Sequence, residues 1–101
     1  MDKGGAIYIL TNKNNTTLYT DVTADLQSRY IQHIEKVYPK SFSARYNLNK
    51  LVYYELFSSI TDVIDREKQI KAGSRAKKIK LIEQENPNWN DLGEIFLEGL
   101  L

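Results

Sequence analysis

The sequence predicts an α+β domain in which a small three-stranded, mainly antiparallel sheet is flanked by helices. Two short runs of β-branched and aromatic residues, 6–10 and 18–22, enclose an Asn-rich segment that favours a turn, which indicates a β-hairpin. A third apolar run, 51–57, predicts another strand. Helical periodicities around these runs give the order β-β-α-(α)-β-α-α-α. A chain of 101 residues suits one core of modest size, so we expect a single domain over 1–101.

The first predicted strand is apolar on both faces. Alternation places Ala6, Tyr8 and Leu10 on one face, and Ile7 and Ile9 on the other. A strand of this kind is expected at the centre of the sheet, with helices covering both of its faces.

Composition excludes several classes of protein. The content of 42% apolar and 27% charged residues is ordinary for a soluble globular protein. The absence of cysteine excludes disulfides and thiolate metal sites and fits a reducing compartment, so we expect a cytoplasmic location. No apolar run reaches the roughly 18 residues of a membrane span, and residues 1–9 lack the features of a signal peptide, so we expect no membrane partner.

The first predicted helix, at about 24–36, carries two candidate functional side chains. Thr23 is expected to cap it, with Asp25 in its first turn. Arg29 and His33, four residues apart, lie at one edge of its core-facing stripe. They could present a cationic donor and a titratable group to a shared pocket, or they could be a surface arginine beside a histidine at the core edge.

A second helix, predicted to begin near Thr61 and to stop at Gly73 in the left-handed conformation, places a carboxylate among apolar residues. Glu67 falls within the stripe formed by Ile60, Val63, Ile64 and Ile70. An ionised carboxylate that faces a core is unfavourable by several kcal/mol unless it meets a cation, a hydrogen-bond donor or a metal. Glu67 is therefore expected to have a partner, which would be a metal or, as a purely structural alternative, Arg29.

Charge is distributed unevenly along the chain. All 14 Lys and Arg residues precede position 81, and the run 66–80 holds seven of them against one acid. Such a run is typical of a surface that faces phosphates, or of a solvated helix face that the acidic tail neutralises. The candidate phosphate contacts are Lys68, Lys71, Arg75, Lys77 and Lys78.

Two further helices are predicted in the last third of the chain. Ser74 is expected to start one of them, and the turn signal Asn86-Pro87 follows its end. The segment 90–101 has apolar residues on a helical period and acids on the other face, so we expect an acidic packing helix without chemistry.

Five elements of the sequence occur in the order and spacing of a known family. The triplets 6–8 (AIY) and 19–21 (YTD) each end or begin with a tyrosine, and these two tyrosines are 11 residues apart. Arg29 and His33 follow, and Glu67 lies in the stretch DREKQIK. This pattern resembles the GIY-YIG nuclease superfamily, and within it the small single-domain bacterial UPF0213-like proteins.

The resemblance covers about residues 6–92 and implies a metal-dependent endonuclease. Glu67 would hold one divalent ion, Mg²⁺ or Mn²⁺, and Arg29 would stabilise charge on the phosphoryl oxygens. Tyr8, with its pKa lowered by nearby cations, or His33 would activate the attacking water, while Tyr19 would position water or phosphate. The implied partner is nucleic acid, most simply DNA, without sequence specificity because the chain has no separate recognition domain.

Two departures from the family pattern bear on activity. Ala6 replaces a glycine, which adds only a methyl group. Asp21 also replaces a glycine, and its charge is expected to repel phosphate or, less simply, to add a metal ligand. Asn86 could correspond to the family's late asparagine, and a turn role before Pro87 suits it equally. Two alternatives to an endonuclease remain. One is a catalytically impaired nucleic-acid-binding module of the same fold, in which Asp21 opposes catalysis, and the other is a protein-interaction domain.

Overall fold

The computed structural model describes residues 4–36 and 38–97. It contains an antiparallel sheet with the strand order β2-β1-β3, flanked by helices, which confirms the predicted fold class. In chain order the elements are β1 (Gly5–Thr11), β2 (Leu18–Thr23), α1 (Leu26–Ile34), α2 (Phe42–Arg45), β3 (Lys50–Phe57), α3 (Ile60–Ala72), α4 (Arg75–Glu85) and a 3₁₀ helix (Leu92–Phe96). No helix within the described ranges is long and apolar enough to span a membrane.

The strand β1 is central and is covered on both faces, as its apolar pattern predicts. The face that carries Tyr8 packs against α1 and the 3₁₀ helix, in a core cluster that includes Leu26 and Tyr30. The opposite face, which carries Ile7, packs against α3 and α4, in a second cluster that includes Ile82. Since both halves of the core use β1, this strand sets the positions of the helices on both sides of the sheet.

The helix α1 begins later than the sequence pattern predicts. Thr23 is the last residue of β2, and Asp25 is the N-cap. The Asp25 carboxylate accepts hydrogen bonds from the Ser28 N–H at 3.1 Å and from the Ser28 hydroxyl at 2.9 Å, and these bonds lower the pKa of Asp25. A carboxylate at the cap also complements the positive end of the helix dipole, which favours Asp over Thr at this position.

The buried stripe of α3 is narrower than the spacing of its isoleucines predicts. Val63 and Ile70 are buried, whereas Ile60 and Ile64 are exposed. Glu67 is rotated by about 40–60° from the two buried residues. It therefore lies at the margin of the stripe instead of within it, which leaves its carboxylate partly accessible.

The junction between α3 and α4 also differs from the prediction. Ser59, not Thr61, is the N-cap residue of α3, and Gly73 has an extended conformation with φ −78° and ψ 159°. Ser74 follows at once and caps α4 by accepting a hydrogen bond from the Lys77 N–H at 3.2 Å. The chain leaves α3 extended because it must start the next helix at the next residue, so the left-handed turn expected at Gly73 does not form.

The closing segment, predicted as an acidic packing helix over 90–101, forms a short 3₁₀ helix over Leu92–Phe96 instead of an α-helix. Residues 98–101 lie outside the described residues. A side chain at Gly93 would overlap the ring of Tyr30, so the backbone lies directly on α1. Asp91 holds it there by accepting hydrogen bonds from the Tyr30 hydroxyl at 2.7 Å and from the N–H groups of Leu51 at 3.1 Å and Gly93 at 2.9 Å.

We expect Asp91→Ala to lower the free energy of unfolding by about 2–4 kcal/mol, because it leaves donors on three elements without their acceptor. Urea unfolding followed by circular dichroism measures this change. The matched control is Glu94→Ala, which removes an equal charge from an exposed position of the same 3₁₀ helix. Equal unfolding midpoints for the two variants would contradict the role assigned to Asp91.

Candidate active site

The hairpin places Tyr8, Tyr19 and Asp21 on one face of the sheet. In the antiparallel register Tyr8 pairs with Asp21 and Leu10 pairs with Tyr19. The two tyrosines are therefore diagonal neighbours on the same face, not direct cross-strand partners. Tyr8 is only 1% exposed, whereas Tyr19 is half-buried on the edge strand. Both phenols lie on the sheet face that packs against α1, but Tyr8 is buried in the core and Tyr19 is closer to solvent.

The helix α1 brings Arg29 and His33 to the same place. Both line a cleft of about 130 Å³ that α1, α2 and Tyr19 enclose, and which we call the hairpin cleft. Nε2 of His33 lies 3.2 Å from the hydroxyl oxygen of Tyr8. The His33 ring centroid lies 5.9 Å from that of Tyr8 and 6.3 Å from that of Tyr19. Tyr19, Arg29 and His33 thus line the cleft, and Tyr8, which is buried and does not line it, is connected to it through His33.

The residues that orient His33 from its other side escaped the sequence analysis. Nδ1 of His33 lies 2.7 Å from Oγ of Ser43, which lies 3.2 Å from Oγ of Ser41. Ser43 is buried, and Ser41 caps α2 by accepting a hydrogen bond from the Ala44 N–H. The sequence predicts a short helical turn between the first predicted helix and the third strand, the element written (α) in the predicted order. The two serines near its start are the only local signal for it. Their distance to His33 depends on tertiary packing that no local pattern encodes.

Burial determines the protonation states of the Tyr8–His33 pair. Burial raises the pKa of Tyr8 well above its usual range, and the Asp21 charge adds to this rise, while the Arg29 guanidinium opposes it. Burial lowers the pKa of His33, and the charge of Arg29 lowers it further. At pH 7 the phenol and the imidazole are therefore both neutral. A Tyr8 phenolate that acts alone needs a lowered pKa, and the shift runs in the opposite direction.

Asp21 is engaged by the second tyrosine. Its Oδ2 accepts a hydrogen bond from the Tyr19 hydroxyl at 2.9 Å, and its Oδ1 accepts one from the Val22 N–H at 2.9 Å. Burial raises the pKa of Tyr19 to about 12, with the hydrogen bond to Asp21 as the next cause. The proton of the Tyr19 hydroxyl is therefore committed to Asp21, and only the lone pairs of its oxygen remain for other partners.

Glu67 approaches Tyr19 from α3. Its side chain is 21% exposed, and its Oε2 lies 3.5 Å from Nζ of Lys71, one turn further along the helix. The negative charge of Glu67 is one of the causes that raise the pKa of Tyr19, so the two groups are close enough to interact electrostatically. Within the described residues the ion-pair partner of Glu67 is Lys71, and the alternative pair with Arg29 is not formed.

The donor set fits a divalent cation that is shared with a substrate, and not a closed metal site. Among residues 4–36 and 38–97, no three side chains of His, Cys, Asp or Glu converge as metal ligands. Mg²⁺ commonly keeps several waters and takes one or two carboxylates together with phosphate oxygens of a substrate. Glu67, partly accessible and only loosely paired with Lys71, satisfies that requirement. Both oxygens of Asp21 already accept hydrogen bonds, which makes this residue the poorer ligand.

Lysines of the basic run line two depressions that meet at Lys78. Lys71 and Lys78 line a depression that shares Tyr19 with the hairpin cleft. Lys77 lines a separate depression between α3 and α4, which it also shares with Lys78. Lys68 is exposed on α3. Two of the five predicted phosphate contacts therefore lie beside the site, and a third lies one step further along α4.

The last two predicted residues make structural contacts. Arg75 donates a hydrogen bond to the Thr16 carbonyl at 2.9 Å, which ties the start of α4 to the hairpin loop. The buried amide of Asn86 donates to the carbonyls of Val52 at 3.1 Å and Asn90 at 2.8 Å, and it accepts from the Asn90 N–H at 3.0 Å. These bonds fit the turn role that the sequence analysis left open for Asn86.

The chain is similar to known proteins over most of its length. The family model described as the GIY-YIG catalytic domain matches residues 4–80. A UPF0213 protein of Syntrophus aciditrophicus is 38% identical over 81 residues, which cover 80% of this chain and 91% of that protein. The UPF0213 protein SSP2268 of Staphylococcus saprophyticus is 37% identical over 78 residues, which cover 77% of this chain and 93% of the relative.

The fold is similar to that of a solved structure as well. The solution NMR structure of the UPF0213 protein BH0048 from Bacillus halodurans matches with a TM-score of 0.56 and 25% identity, over 91% of this chain and 96% of that one. The match of the catalytic-domain model extends from the start of β1 into α4, so it includes the hairpin tyrosines, Arg29, His33 and Glu67. With its hairpin, its helix order and its UPF0213 relatives, the chain belongs to the GIY-YIG family.

Proposed function

We propose that this protein is a divalent-metal-dependent endonuclease that hydrolyses phosphodiester bonds of nucleic acid. The observation that carries the proposal is that one cleft holds a guanidinium and a neutral imidazole, which is paired with the buried phenol of Tyr8, while the Glu67 carboxylate acts electrostatically on Tyr19 at the edge of that cleft. Phosphodiester hydrolysis needs positive charge at the phosphoryl oxygens and an acceptor for the proton of the attacking water. Membership of the GIY-YIG family supports nuclease-type chemistry.

Arg29 and Glu67 would act on the phosphate. Arg29 lines the hairpin cleft, and its guanidinium offers N–H donors that suit two oxygens of one phosphate. As water attacks phosphorus, charge accumulates on these oxygens, and a preorganised cation stabilises it more than water does. Glu67 would hold Mg²⁺ or Mn²⁺, which supplies Lewis-acid polarisation of the phosphate when bound.

The Tyr8–His33 pair would accept the proton of the attacking water. We assign the tautomer in which the Tyr8 hydroxyl donates to Nε2 and Nδ1–H donates to Ser43, which both distances allow. The proton of the water would pass to the Tyr8 oxygen while the Tyr8 proton passes to Nε2, and the new P–O bond forms. The bond to the leaving oxygen breaks with its electron pair on that oxygen, which then takes a proton from solvent. A free phenolate is never formed, so the raised pKa of Tyr8 is no obstacle to this transfer.

The substrate proposed is DNA, bound without sequence specificity. Lys71 and Lys78 border Tyr19 and would contact backbone phosphates on one side of the scissile bond. Arg29 and Lys36 line the hairpin cleft on the other side of the same tyrosine. The positive charges on both sides support a strand that crosses the site.

A second candidate is a nucleic-acid-binding module of the same fold that has lost turnover. The hydrogen bond between Tyr19 and Asp21 favours it, because this bond occupies the hydroxyl proton that could otherwise reach a phosphate. The Asp21 carboxylate also adds a negative charge opposite Tyr8 in the strand register, where an incoming phosphate would be repelled. This candidate predicts binding that salt weakens, without cleavage.

We expect Glu67→Ala to reduce Mg²⁺- or Mn²⁺-dependent cleavage of DNA by on the order of 10²-fold or more, because the proposed metal ligand is removed. The assay follows cleavage of labelled single-stranded, duplex and branched DNA. The matched control is Asp65→Ala, which removes an exposed carboxylate two residues away on the same helix. Equal loss in both variants, or cleavage that survives in Glu67→Ala, would contradict the assignment.

Asp21→Asn and Asp21→Gly separate the two candidates. We expect both variants to cleave about fivefold faster than the parent, because removal of roughly 1 kcal/mol of repulsion lowers the barrier by a similar amount. Asn keeps the volume of the side chain, so it controls for the backbone freedom that Gly adds to an edge strand. Cleavage that occurs only in the variants identifies the parent as a silenced binding module, and unchanged rates show that Asp21 does not oppose the phosphate.

The protonation of His33 can be measured directly, since it is the only histidine in the chain. We expect an NMR titration of its ring to give a pKa below the ordinary 6.5, with Arg29→Gln raising this pKa and Asp21→Asn lowering it further. Because the imidazolium cannot accept a proton, the cleavage rate should be full above this pKa and should fall as the pH drops through it. A rate that is flat across the measured pKa would exclude His33 from the proton path.

A further inference from the structure

Three aromatic rings lie next to one another along a line that leads out of the hairpin cleft. Tyr19 and Phe42 lie 5.8 Å apart with an interplanar angle of 26°, and Phe42 and Tyr46 lie 4.6 Å apart at 40°. Tyr19 is half-buried, whereas Phe42 is 47% exposed and Tyr46 is 49% exposed. The proton-transfer scheme uses neither of the two outer rings, although both carry large apolar faces into solvent.

This row of rings borders the hairpin cleft and the neighbouring depression. Tyr19 and Phe42 line the cleft that holds Arg29, and they also line the depression that holds Lys71 and Lys78. The aromatic surface is therefore flanked by cations on both sides. This arrangement combines a charged path for a phosphate backbone with an apolar plane beside it.

We propose that Phe42 and Tyr46 form a stacking platform for an unpaired nucleobase of the strand that enters the hairpin cleft. This inference rests on the proposed function and deepens it, since it assigns the substrate class as nucleic acid with an unpaired base next to the scissile phosphate. Every nucleobase has a flat π-face, so stacking on aromatic side chains is strong without being sequence-specific. The flanking cations favour this occupant over an apolar protein surface, which gains nothing from them.

The platform discriminates against regular duplex. In a double helix each base is already stacked on its neighbours, and its faces are not available to a protein ring. An unpaired base has both faces free and exposes its backbone to a cationic groove as well. The preference for unpaired strands therefore comes from the aromatic pair, whereas the cations attract any nucleic acid alike.

Binding is the decisive measurement, and it is made in the Glu67→Ala variant so that the probe stays intact. The probes are a fluorescently labelled oligodeoxythymidylate, the same strand with abasic sites in place of its bases, and a duplex of equal length. We expect the intact single strand to bind at least about fivefold more tightly than the abasic strand. We expect Phe42→Ala and Tyr46→Ala each to remove most of this difference while leaving the abasic strand and the duplex unaffected.

Further variants test whether the ring itself matters. Phe42→Trp should retain base-dependent binding, whereas Phe42→Leu should lose it, because leucine is apolar but has no π-face. The matched control is Leu56→Ala, which removes an exposed apolar side chain from β3 and should change nothing. Circular dichroism of each variant checks that the fold is kept.

The outcomes separate the platform from the endonuclease. Equal affinity for the intact and abasic strands, or alanine variants that weaken all three probes alike, would overturn the platform even if Glu67-dependent cleavage is found. A change in oligomeric state without a change in base-dependent binding would likewise overturn it, in favour of a protein contact. Base-dependent binding that Phe42→Ala removes, without any cleavage by the parent protein, would support the platform and refute the endonuclease.

Discussion

The hydroxyl of Tyr8 lies on a strand that is buried on both faces, and its hydrogen bond to His33 is the contact on which the site depends. A buried hydroxyl without a partner costs about 1–3 kcal/mol, so the core that encloses Tyr8 requires an acceptor or donor at this point. The helix α1 supplies it, and Ser43 on α2 satisfies the second nitrogen of the imidazole. Folding of the core therefore assembles the Tyr8–His33–Ser43 contacts without a separate ordering step.

The charges around the hairpin cleft oppose one another at the Tyr8–His33 pair. Arg29 lowers the pKa of both Tyr8 and His33, and Asp21 raises both. These opposing influences partly cancel, and burial remains the largest cause for each group. The pair stays neutral at pH 7 as a result. The charge that the hairpin cleft favours then depends on three side chains. The Arg29 guanidinium favours a phosphate, whereas the carboxylates of Asp21 and Glu67 repel it unless a bound cation neutralises them.

The elements that could be predicted from the sequence are those with a strong period or a local stop signal. The two apolar faces of β1 predict its central position, and Ser74 correctly predicts the start of α4. The wrong predictions concern residues whose burial or backbone conformation depends on a tertiary contact. Ile64 has the right spacing for the core of α3, but the sheet covers only the side of Val63 and Ile70, so Glu67 lies at the margin. Gly73 is extended because the next residue begins a helix.

The residues of the site also divide into those that the sequence predicts and those that only the structure identifies. Tyr8, Tyr19, Arg29, His33 and Glu67 have the spacing of a known family. The fold brings Tyr19, Arg29 and His33 to one cleft, with Tyr8 buried against His33 and Glu67 near enough to influence Tyr19. Ser43 and the exposed ring of Phe42 have no such spacing, because α2 is a single helical turn in a segment without a periodic pattern. Their roles follow from the side of α2 that meets α1, which only the assembled structure defines.

The short helix α2 carries both the serine that contacts His33 and the exposed ring of Phe42. Ser43, at its second position, is buried against His33, and Phe42, at its first, faces solvent. Adjacent residues in a helix point about 100° apart, so one turn is enough to direct one side chain inward and the next outward. A ligand that contacts the Phe42 ring would therefore act on the same four-residue helix that holds Ser43 in place. The exposed Phe42 ring and the hydroxyl that contacts the imidazole thus share one small element, whose rigidity depends on the Ser41 cap and on the Ser41–Ser43 contact.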